Sequence, residues 1–187
     1  MIMETFHDQP FATSCMSGKN EASNVIVHYN QYLFPSIYAR KSLLYVQLLS
    51  SATFDKHHFT QRKNLSSYLL LQTFTGKGGV RYEGNEYMLE KDDVCLIDCR
   101  KEHEYFSSDE HGWGYRLAHF DGNIMQDYYM QILSHYNVKF HFDEDSKFQA
   151  LFQELFKELI VKGPTTEIIV NRILTDMITE IPFGNTS

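Results

Sequence analysis

The pattern of hydrophobic and polar positions divides the chain into a strand-like part and a helix-like part. Over residues 25–120, short apolar or alternating runs are separated by turn residues, which is typical of an antiparallel all-β domain. The best runs predict strands at residues 43–49, 68–74, 80–82, 86–89, 94–97 and 115–120. The segments Gly76-Lys77-Gly78-Gly79 and Glu83-Gly84-Asn85 supply residues that tolerate the positive φ angles of tight hairpins. Several short strands at this spacing predict a sandwich or barrel.

Beyond residue 121 the spacing of the apolar positions changes from a period of two residues, typical of strands, to a period of about 3.6 residues, typical of helices. The first predicted helix has a face formed by Ile124, Tyr128, Ile132 and His135. Gly163-Pro164 ends a second helix, and Thr165 or Thr166 can cap a third helix that carries Ile169, Ile173, Leu174, Met177 and Ile178. The fold class is therefore mainly β with C-terminal α, and the last two helices form an antiparallel hairpin.

The second helix carries an unusually wide apolar stripe for a surface helix. Its members are Phe148, Leu151, Phe152, Leu155 and Leu159, together with Phe156. A stripe wider than the barrel can cover favours a partner, so the first five of these residues, without Phe156, are predicted to form a homodimer interface. The alternative is that the stripe only covers the barrel.

The chain is predicted to have four parts. Residues 1–24 are polar and aperiodic and are assigned to an N-terminal arm, and residues 25–121 form the barrel. Residues 122–181 form the helical dimerisation region, and residues 182–187 lead towards a further domain that this sequence does not contain.

Composition and charge narrow the class of protein. The 187 residues carry a formal net charge of -7. This is the wrong sign for a surface that must neutralise DNA phosphates, so the chain alone is not expected to bind DNA. No apolar run approaches the roughly 20 residues of a membrane span, and the N-terminus lacks the features of an export signal. Cys15, Cys95 and Cys99 form no metal or redox spacing, which fits a reducing cytoplasm with Cys95 and Cys99 in the core.

The middle of the chain resembles the cupin-like N-terminal domain of AraC-type transcription regulators. The resemblance rests on residues 68–79 (YLLLQTFTGKGG) and 87–105 (YMLEKDDVCLIDCRKEHEY), with a looser match at residues 113–122 (WGYRLAHFDG). Asp92-Asp93 stands where the family has a Gly-Asp turn, and Asp98-Cys99 replaces its usual proline pair. The resemblance implies a jelly-roll barrel, a double-stranded β-helix, followed by the helical hairpin.

No residue set suggests catalysis or a cofactor. Metal-binding cupins need several converging ligands, and here only His103 stands at an expected position, so neither a metal nor a catalytic residue is assigned. His57 and His58 are adjacent and would point to opposite faces of a strand. The alternative role for His103 is that of a turn histidine bonded to the backbone. The sequence contains no Gly-x-Ser-x-Gly motif, and the glycine-rich segment is a hairpin and not a phosphate loop.

The candidate ligand site consists mainly of aromatic residues on the predicted strands. Matching the motifs to the family's arabinose-responsive prototype implies pocket positions for Thr75, Tyr105, Tyr115 and Leu117, and His103 and Trp113 join them. By alternation, Trp113, Tyr115, Leu117 and His119 share one strand face, while Arg116 and Phe120 share the other. Tyrosine, tryptophan and histidine offer ring faces and polar tips that suit a sugar. The competing interpretation is that these aromatics only pack the core.

The resemblance implies a dimeric, cytoplasmic sensor that binds a small, sugar-like effector and meets DNA only through an absent helix-turn-helix domain. Pro10, Phe11 and Thr13 of the arm are candidates for closing over the ligand, as in the family. One alternative is a stand-alone cupin enzyme, a sugar isomerase or epimerase that uses His103 and a tyrosine as acid and base. Another is a dimerisation module with a fully packed, empty barrel.

Overall fold

The predicted change from strands to helices is present in the structure, a computed structural model that describes residues 24–184. The strands are β1 (Val25–Tyr32), β2 (Tyr45–Phe54), β3 (Phe59–Arg62), β4 (Tyr68–Gly76), β5 (Gly78–Tyr82), β6 (Asn85–Leu89), β7 (Asp93–Asp98), β8 (His103–Ser107), β9 (Trp113–Asp121) and β10 (Lys139–His141). The helices are α1 (Ile37–Ser42), α2 (Met125–Leu133), α3 (Lys147–Val161) and α4 (Thr166–Glu180), and a 3-10 turn (Ile181–Phe183) follows. Each predicted strand is present as β2, β4, β5, β6, β7 or β9, with bounds that differ by a few residues.

The strands form two antiparallel sheets whose facing sides enclose the barrel interior. One sheet has six strands in the order β1-β2-β9-β4-β7-β10, and the other has four in the order β3-β8-β5-β6. The chain crosses from one sheet to the other at nearly every connection between β2 and β9. The mainly β, cupin-like fold with C-terminal helices is thereby confirmed.

The central strands β4, β7 and β9 of the six-stranded sheet are buried on both faces. Leu69 and Leu71 of β4 belong to the interior cluster between the sheets, while Tyr68 and Leu70 belong to a second cluster beneath the helices. A strand covered on both sides needs apolar residues at successive positions, which explains the run Tyr68-Leu69-Leu70-Leu71.

Helices α3 and α4 form the predicted antiparallel hairpin on the outer face of this sheet. Ser146 caps α3, because its hydroxyl accepts a hydrogen bond from the Gln149 amide at 3.3 Å. The carboxylate of Glu167 accepts bonds from the amide and hydroxyl of Ser36, each at 2.7 Å. These bonds fix α4 against the segment between β1 and α1.

Two predictions for the helical part are wrong in detail. In α2 the predicted Ile132 is buried and Tyr128 packs at the edge of the core, but Ile124 is 51% exposed, and Met125 and Tyr129 complete the buried face instead. The strand β10 lies within the part predicted to be helical and pairs with β7. Its three residues are too few for a period of two to be recognised in the sequence.

The predicted dimerisation residues are core residues of a single chain. Phe148, Leu151, Phe152, Leu155 and Leu159 are each at most 5% exposed, and all five pack in the cluster between the six-stranded sheet and the helices. They are therefore not available to contact a second chain, and this assignment is corrected. The apolar stripe of α3 covers the outer face of the six-stranded sheet in the same chain.

Parts of the predicted division lie outside the described residues. These are residues 1–23 of the arm, with Pro10, Phe11, Thr13 and Cys15, and residues 185–187. The domain boundaries stay a prediction. Within residues 24–184, no helix combines the length and apolar character needed to cross a membrane.

Candidate functional site

The structure brings five of the six predicted ligand residues together in the barrel interior. His103, Tyr105, Trp113, Tyr115 and Leu117 are all at most 4% exposed. The ring centroids of Trp113 and Tyr115 lie 4.5 Å apart, and those of Tyr105 and Tyr115 lie 5.8 Å apart. The predicted alternation of β9 is correct, because Tyr115 and Leu117 pack in the interior while Phe120 packs beneath the helices.

Thr75 is the exception. The register of β4 against β9 shifts between Thr73 and Thr75, so the alternation of inward and outward side chains changes there. Thr75 is exposed, whereas Thr73 is fully buried and its hydroxyl accepts a hydrogen bond from Trp113 Nε1 at 3.0 Å. Thr73 therefore occupies the interior position that the sequence analysis gave to Thr75.

His58 joins the interior site, although the sequence analysis gave it no role. Its Nε2 atom and the Tyr115 hydroxyl form a hydrogen bond of 2.9 Å, and Phe54 stacks on its ring with centroids 3.6 Å apart. Burial lowers the pKa of His58 to about 4, so the ring is neutral near pH 7. The pair His57-His58 contained the signal, because alternation directs one of two adjacent residues inwards.

Arg62 and His103 lie at the end of β3 and the start of β8, opposite each other in the antiparallel register. His103 Nδ1 donates to the Lys101 carbonyl oxygen at 2.9 Å, which confirms the expected backbone contact for one ring nitrogen. His103 Nε2 and two guanidinium nitrogens of Arg62, Nε and Nη1, are buried without a hydrogen-bond partner. Arg62 was not among the predicted site residues, because an arginine is not a metal ligand and no other signal in the sequence pointed to it.

His119 lies near Arg62 and His103, at the same end of the barrel. Its Nδ1 atom and the Ser67 hydroxyl form a hydrogen bond of 2.9 Å, and both residues are fully buried. Burial lowers the pKa of His119 far below its usual value, and the positive charge of Arg62 adds to this effect. Burial also lowers the pKa of His103, with Arg62 again contributing. The interior near Arg62 thus favours neutral histidines.

The described residues offer little for metal or thiol chemistry. Within residues 24–184, no three or more His, Cys, Asp or Glu side chains are grouped to hold a metal ion. Cys95 and Cys99 are free and buried, as expected for core residues. Burial raises the pKa of the Cys99 thiol to about 12, so this thiol is protonated and unreactive at neutral pH.

The surface formed by residues 24–184 includes the following clefts. One has a volume of about 760 Å³ and lies beside the turns at the Arg62 end of the four-stranded sheet, where Gln61, Tyr82, Lys101 and His103 are among its lining residues. The other, of about 230 Å³, lies between the segment before α1 and the α3–α4 hairpin, with Phe34, Val46 and Val170 in its wall. The first cleft reaches the site through His103.

Solved structures that resemble the chain share little sequence with it. The AraC-like transcriptional activator CuxR is 8% identical with a TM-score of 0.49, covering 77% of this chain and 54% of its own. The cupin domain of an XRE family transcriptional regulator from Enterobacter cloacae is 15% identical with a TM-score of 0.40, covering 53% of this chain and 96% of its own. A predicted oxalate decarboxylase from Thermotoga maritima is 12% identical with a TM-score of 0.39, covering 48% of this chain and 76% of its own. No one of these likenesses supports a functional assignment.

The sequence itself carries the family assignment. Among curated protein sequences, no significant relative is found. The family model for the AraC-like ligand binding domain matches residues 44–176, which include the barrel from β2 onwards and most of the helical hairpin. Because this match covers more than two thirds of the 187 residues, the chain belongs to the AraC-like ligand binding domain family.

Proposed function

We propose that this domain binds a small, sugar-like effector inside the barrel and thereby controls DNA binding by a helix-turn-helix domain of the same regulator. The observation that carries the proposal is the interior wall of Tyr105, Trp113, Tyr115 and His58 in a domain of a ligand-binding family. A cytoplasmic location is part of the proposal, and the free thiols of Cys95 and Cys99 are consistent with a reducing compartment.

The chemistry of the wall suits a polyhydroxylated ring. Aromatic faces pack against the C–H groups of a sugar, and hydroxyl and imidazole groups exchange hydrogen bonds with its hydroxyls. The hydroxyl of Tyr115 and Nε2 of His58 bind each other at 2.9 Å, so a ligand hydroxyl inserted between them can donate to one and accept from the other and leave neither unpaired.

Strand β9 offers a physical connection between the interior and the helices. On its interior side lie Tyr115 and Leu117, while Arg116 on the other side donates to Gln72 at 2.5 Å and to Gln149 of α3 at 2.7 Å. The Arg116 guanidinium also lies over the Phe152 ring, 4.5 Å from its centroid. A ligand that displaces β9 would therefore displace α3, which is how effector binding would reach the rest of the regulator.

Thermal melting against neutral and acidic mono- and disaccharides tests the sensor proposal. A ligand that binds only the folded chain raises Tm by mass action, so one class of sugar should produce a selective rise. Tyr105→Phe removes an interior hydroxyl and should weaken that response at least tenfold in concentration, since a lost hydrogen bond costs about 1.4 kcal/mol. Tyr136→Phe, at an exposed tyrosine, should respond like the unmodified chain. No shift with any member of the panel would contradict sugar sensing.

We further propose that the domain binds its effector without converting it. The enzyme alternative requires His103 and a tyrosine to face each other, and Tyr105 does not meet this requirement, because it lies two residues along the same strand with its ring nearly parallel to that of His103. Proton spectra of each stabilising sugar, recorded after prolonged incubation with the chain, should remain unchanged. The appearance of an isomer or epimer would support the enzyme alternative.

Dimerisation remains part of the proposal, but exposed residues must provide it. At the tip of the helical hairpin, Val161 is 80% exposed and Ile168 is 64% exposed, and Phe34 nearby is 79% exposed. An isologous contact through this tip would bury these apolar side chains against a second copy. We call Phe34, Val161 and Ile168 the hairpin-tip patch.

Ile168→Glu is expected to weaken self-association at least tenfold, because it places a charge in the hairpin-tip patch. Sedimentation equilibrium over a range of protein concentrations measures the effect. Met88→Glu makes the same change at an exposed position of β6 and should leave the dissociation constant unaltered. An equal effect of the two variants, or none from Ile168→Glu, would place the dimer contact elsewhere.

A further inference from the structure

Arg62 is half-buried, and two of its guanidinium nitrogens are enclosed without a partner. Its Nε and Nη1 atoms are inaccessible to solvent and have no hydrogen-bond partner, and no carboxylate within residues 24–184 forms an ion pair with it. A guanidinium group stays protonated in proteins, and enclosing its N–H donors without an acceptor costs free energy. An acceptor that residues 24–184 do not supply would therefore complete its environment.

The unpaired nitrogens of Arg62 and His103 share one region of the interior. The two residues are direct partners in the β3–β8 register, so their Cβ atoms lie about 5 Å apart on the same side of the sheet. His103 is 1% exposed and packs beside Tyr105 within the barrel, which places the Arg62 side chain on the interior side as well.

The hydrogen positions define what each group needs from a ligand. The Lys101 carbonyl can only accept, so the hydrogen on His103 lies at Nδ1. Nε2 of the neutral ring is then an acceptor and needs a donor, such as a hydroxyl. The Arg62 fork offers donors and a positive charge, which a carboxylate satisfies with two parallel hydrogen bonds.

We propose that the effector is a hydroxycarboxylate of the sugar-acid class, with its carboxylate on Arg62 and a hydroxyl donating to His103 Nε2. This inference rests on the proposed effector-binding function and names the ligand class for the same barrel. Tyr105 continues the wall beyond His103, with ring centroids 6.4 Å apart and planes 12° from parallel, so it offers a flat face to the carbon skeleton.

Access to this position does not require the whole barrel to open. The cleft of about 760 Å³ is bordered by His103 and by Gln61, the neighbour of Arg62 in the chain. Strand β3 has four residues and, in the part of the chain that the structure describes, pairs with β8 alone. A short edge strand with one partner is easily displaced, and its displacement would expose Arg62 from the cleft.

Paired sugars test the inference. Thermal melting is recorded with D-glucuronate and D-galacturonate and with neutral D-glucose and D-galactose, at equal ionic strength. The acids should raise Tm by about 5–10 °C at roughly 100-fold above their dissociation constants, and the neutral sugars should not. Arg62→Met should abolish the response, whereas Arg172→Met, at an arginine whose side chain is 51% exposed, should retain it. Arg62→Lys keeps the charge but not the fork and should respond weakly.

The melting of the empty chain gives a second, ligand-independent measurement. Because Arg62 has no partner to lose, Arg62→Met should leave Tm unchanged or raise it, whereas a structural arginine would lower Tm on removal. A marked fall in Tm would overturn the inference. A rise in Tm with the neutral sugars alone would overturn the sugar-acid class but leave the proposed sensor function intact. No shift with either series would overturn both, and equal shifts by the acids in Arg62→Met and the unmodified chain would overturn the role of Arg62.

Discussion

Acidification from about pH 6.5 to about pH 4 is expected to destabilise the folded domain through its buried histidines. Burial lowers the pKa of His58 from 6.5 to about 4, and it lowers the pKa of His103 and His119 as well. In this pH window the unfolded chain binds protons at these positions and the folded chain does not. The free energy of unfolding therefore falls as the pH falls, and the contribution of the neutral histidines is fully present only above about pH 6.5.

The effect of His58 alone should be large. Its pKa shift corresponds to about 3 kcal/mol, and the loss should proceed at up to about 1.4 kcal/mol per pH unit. Urea unfolding of the unmodified chain and of His58→Gln at half-unit steps from pH 7.5 to pH 4.5 measures the difference in slope. His58→Gln should have the shallower dependence, while His111→Gln, at an exposed histidine, is the matched control. Parallel curves for the unmodified chain and His58→Gln would contradict the assigned burial of His58.

The strands that could be predicted from the sequence are those whose burial leaves a regular pattern. β4 reads as a continuous apolar run because it is buried on both faces, and the glycine-rich turns mark its end and the β5–β6 hairpin. β3 escaped prediction because its sequence, Phe-Thr-Gln-Arg, directs Thr60 and Arg62 inwards and an aromatic outwards. The strand that carries the unpaired guanidinium is thus the one whose hydrophobic pattern is inverted.

The candidate site was predictable where alternation is unbroken. Trp113, Tyr115 and Leu117 follow one another at a period of two, and their common inward direction needed no further information. Thr75 failed because one irregular residue in β4 reverses the direction of every side chain beyond it. A bulge of this kind depends on the register with the neighbouring strand, which a single sequence does not specify.

The apolar stripe of α3 shows why amphipathicity alone cannot distinguish a core from an interface. The wide hydrophobic face of α3 fits either a dimer interface or a broad sheet beneath it. The area of that sheet cannot be read from the pattern of the helix alone. The outer face of the six-stranded sheet, with Leu70, Leu96 and Phe120, provides that surface within the same chain. The stripe is therefore explained without a partner, and a dimer contact has to use residues outside it.

Phe152→Ala is expected to lower the free energy of unfolding by about 3–5 kcal/mol, the cost of deleting a buried aromatic ring from a packed core. Phe152 is fully buried, and its ring packs near Phe148 and Phe156 and beneath the Arg116 guanidinium. Removing the ring leaves a cavity and deprives Arg116 of its stacking partner. Urea unfolding at two protein concentrations measures the loss and separates it from any change in self-association.

Phe152→Ala should behave differently depending on whether Phe152 is a core residue or an interface residue. A core residue lowers the stability of the chain at every protein concentration, whereas an interface residue acts chiefly through the dissociation constant and leaves the isolated chain as stable as before. Ile168→Ala, at an exposed residue of α4, is the matched comparison and should change the stability of the dissociated chain by no more than about 0.5 kcal/mol. If Phe152→Ala instead raised the dissociation constant and left the unfolding of the dissociated chain unaltered, the stripe would be an interface after all. The burial of α3 against the six-stranded sheet would then be wrong.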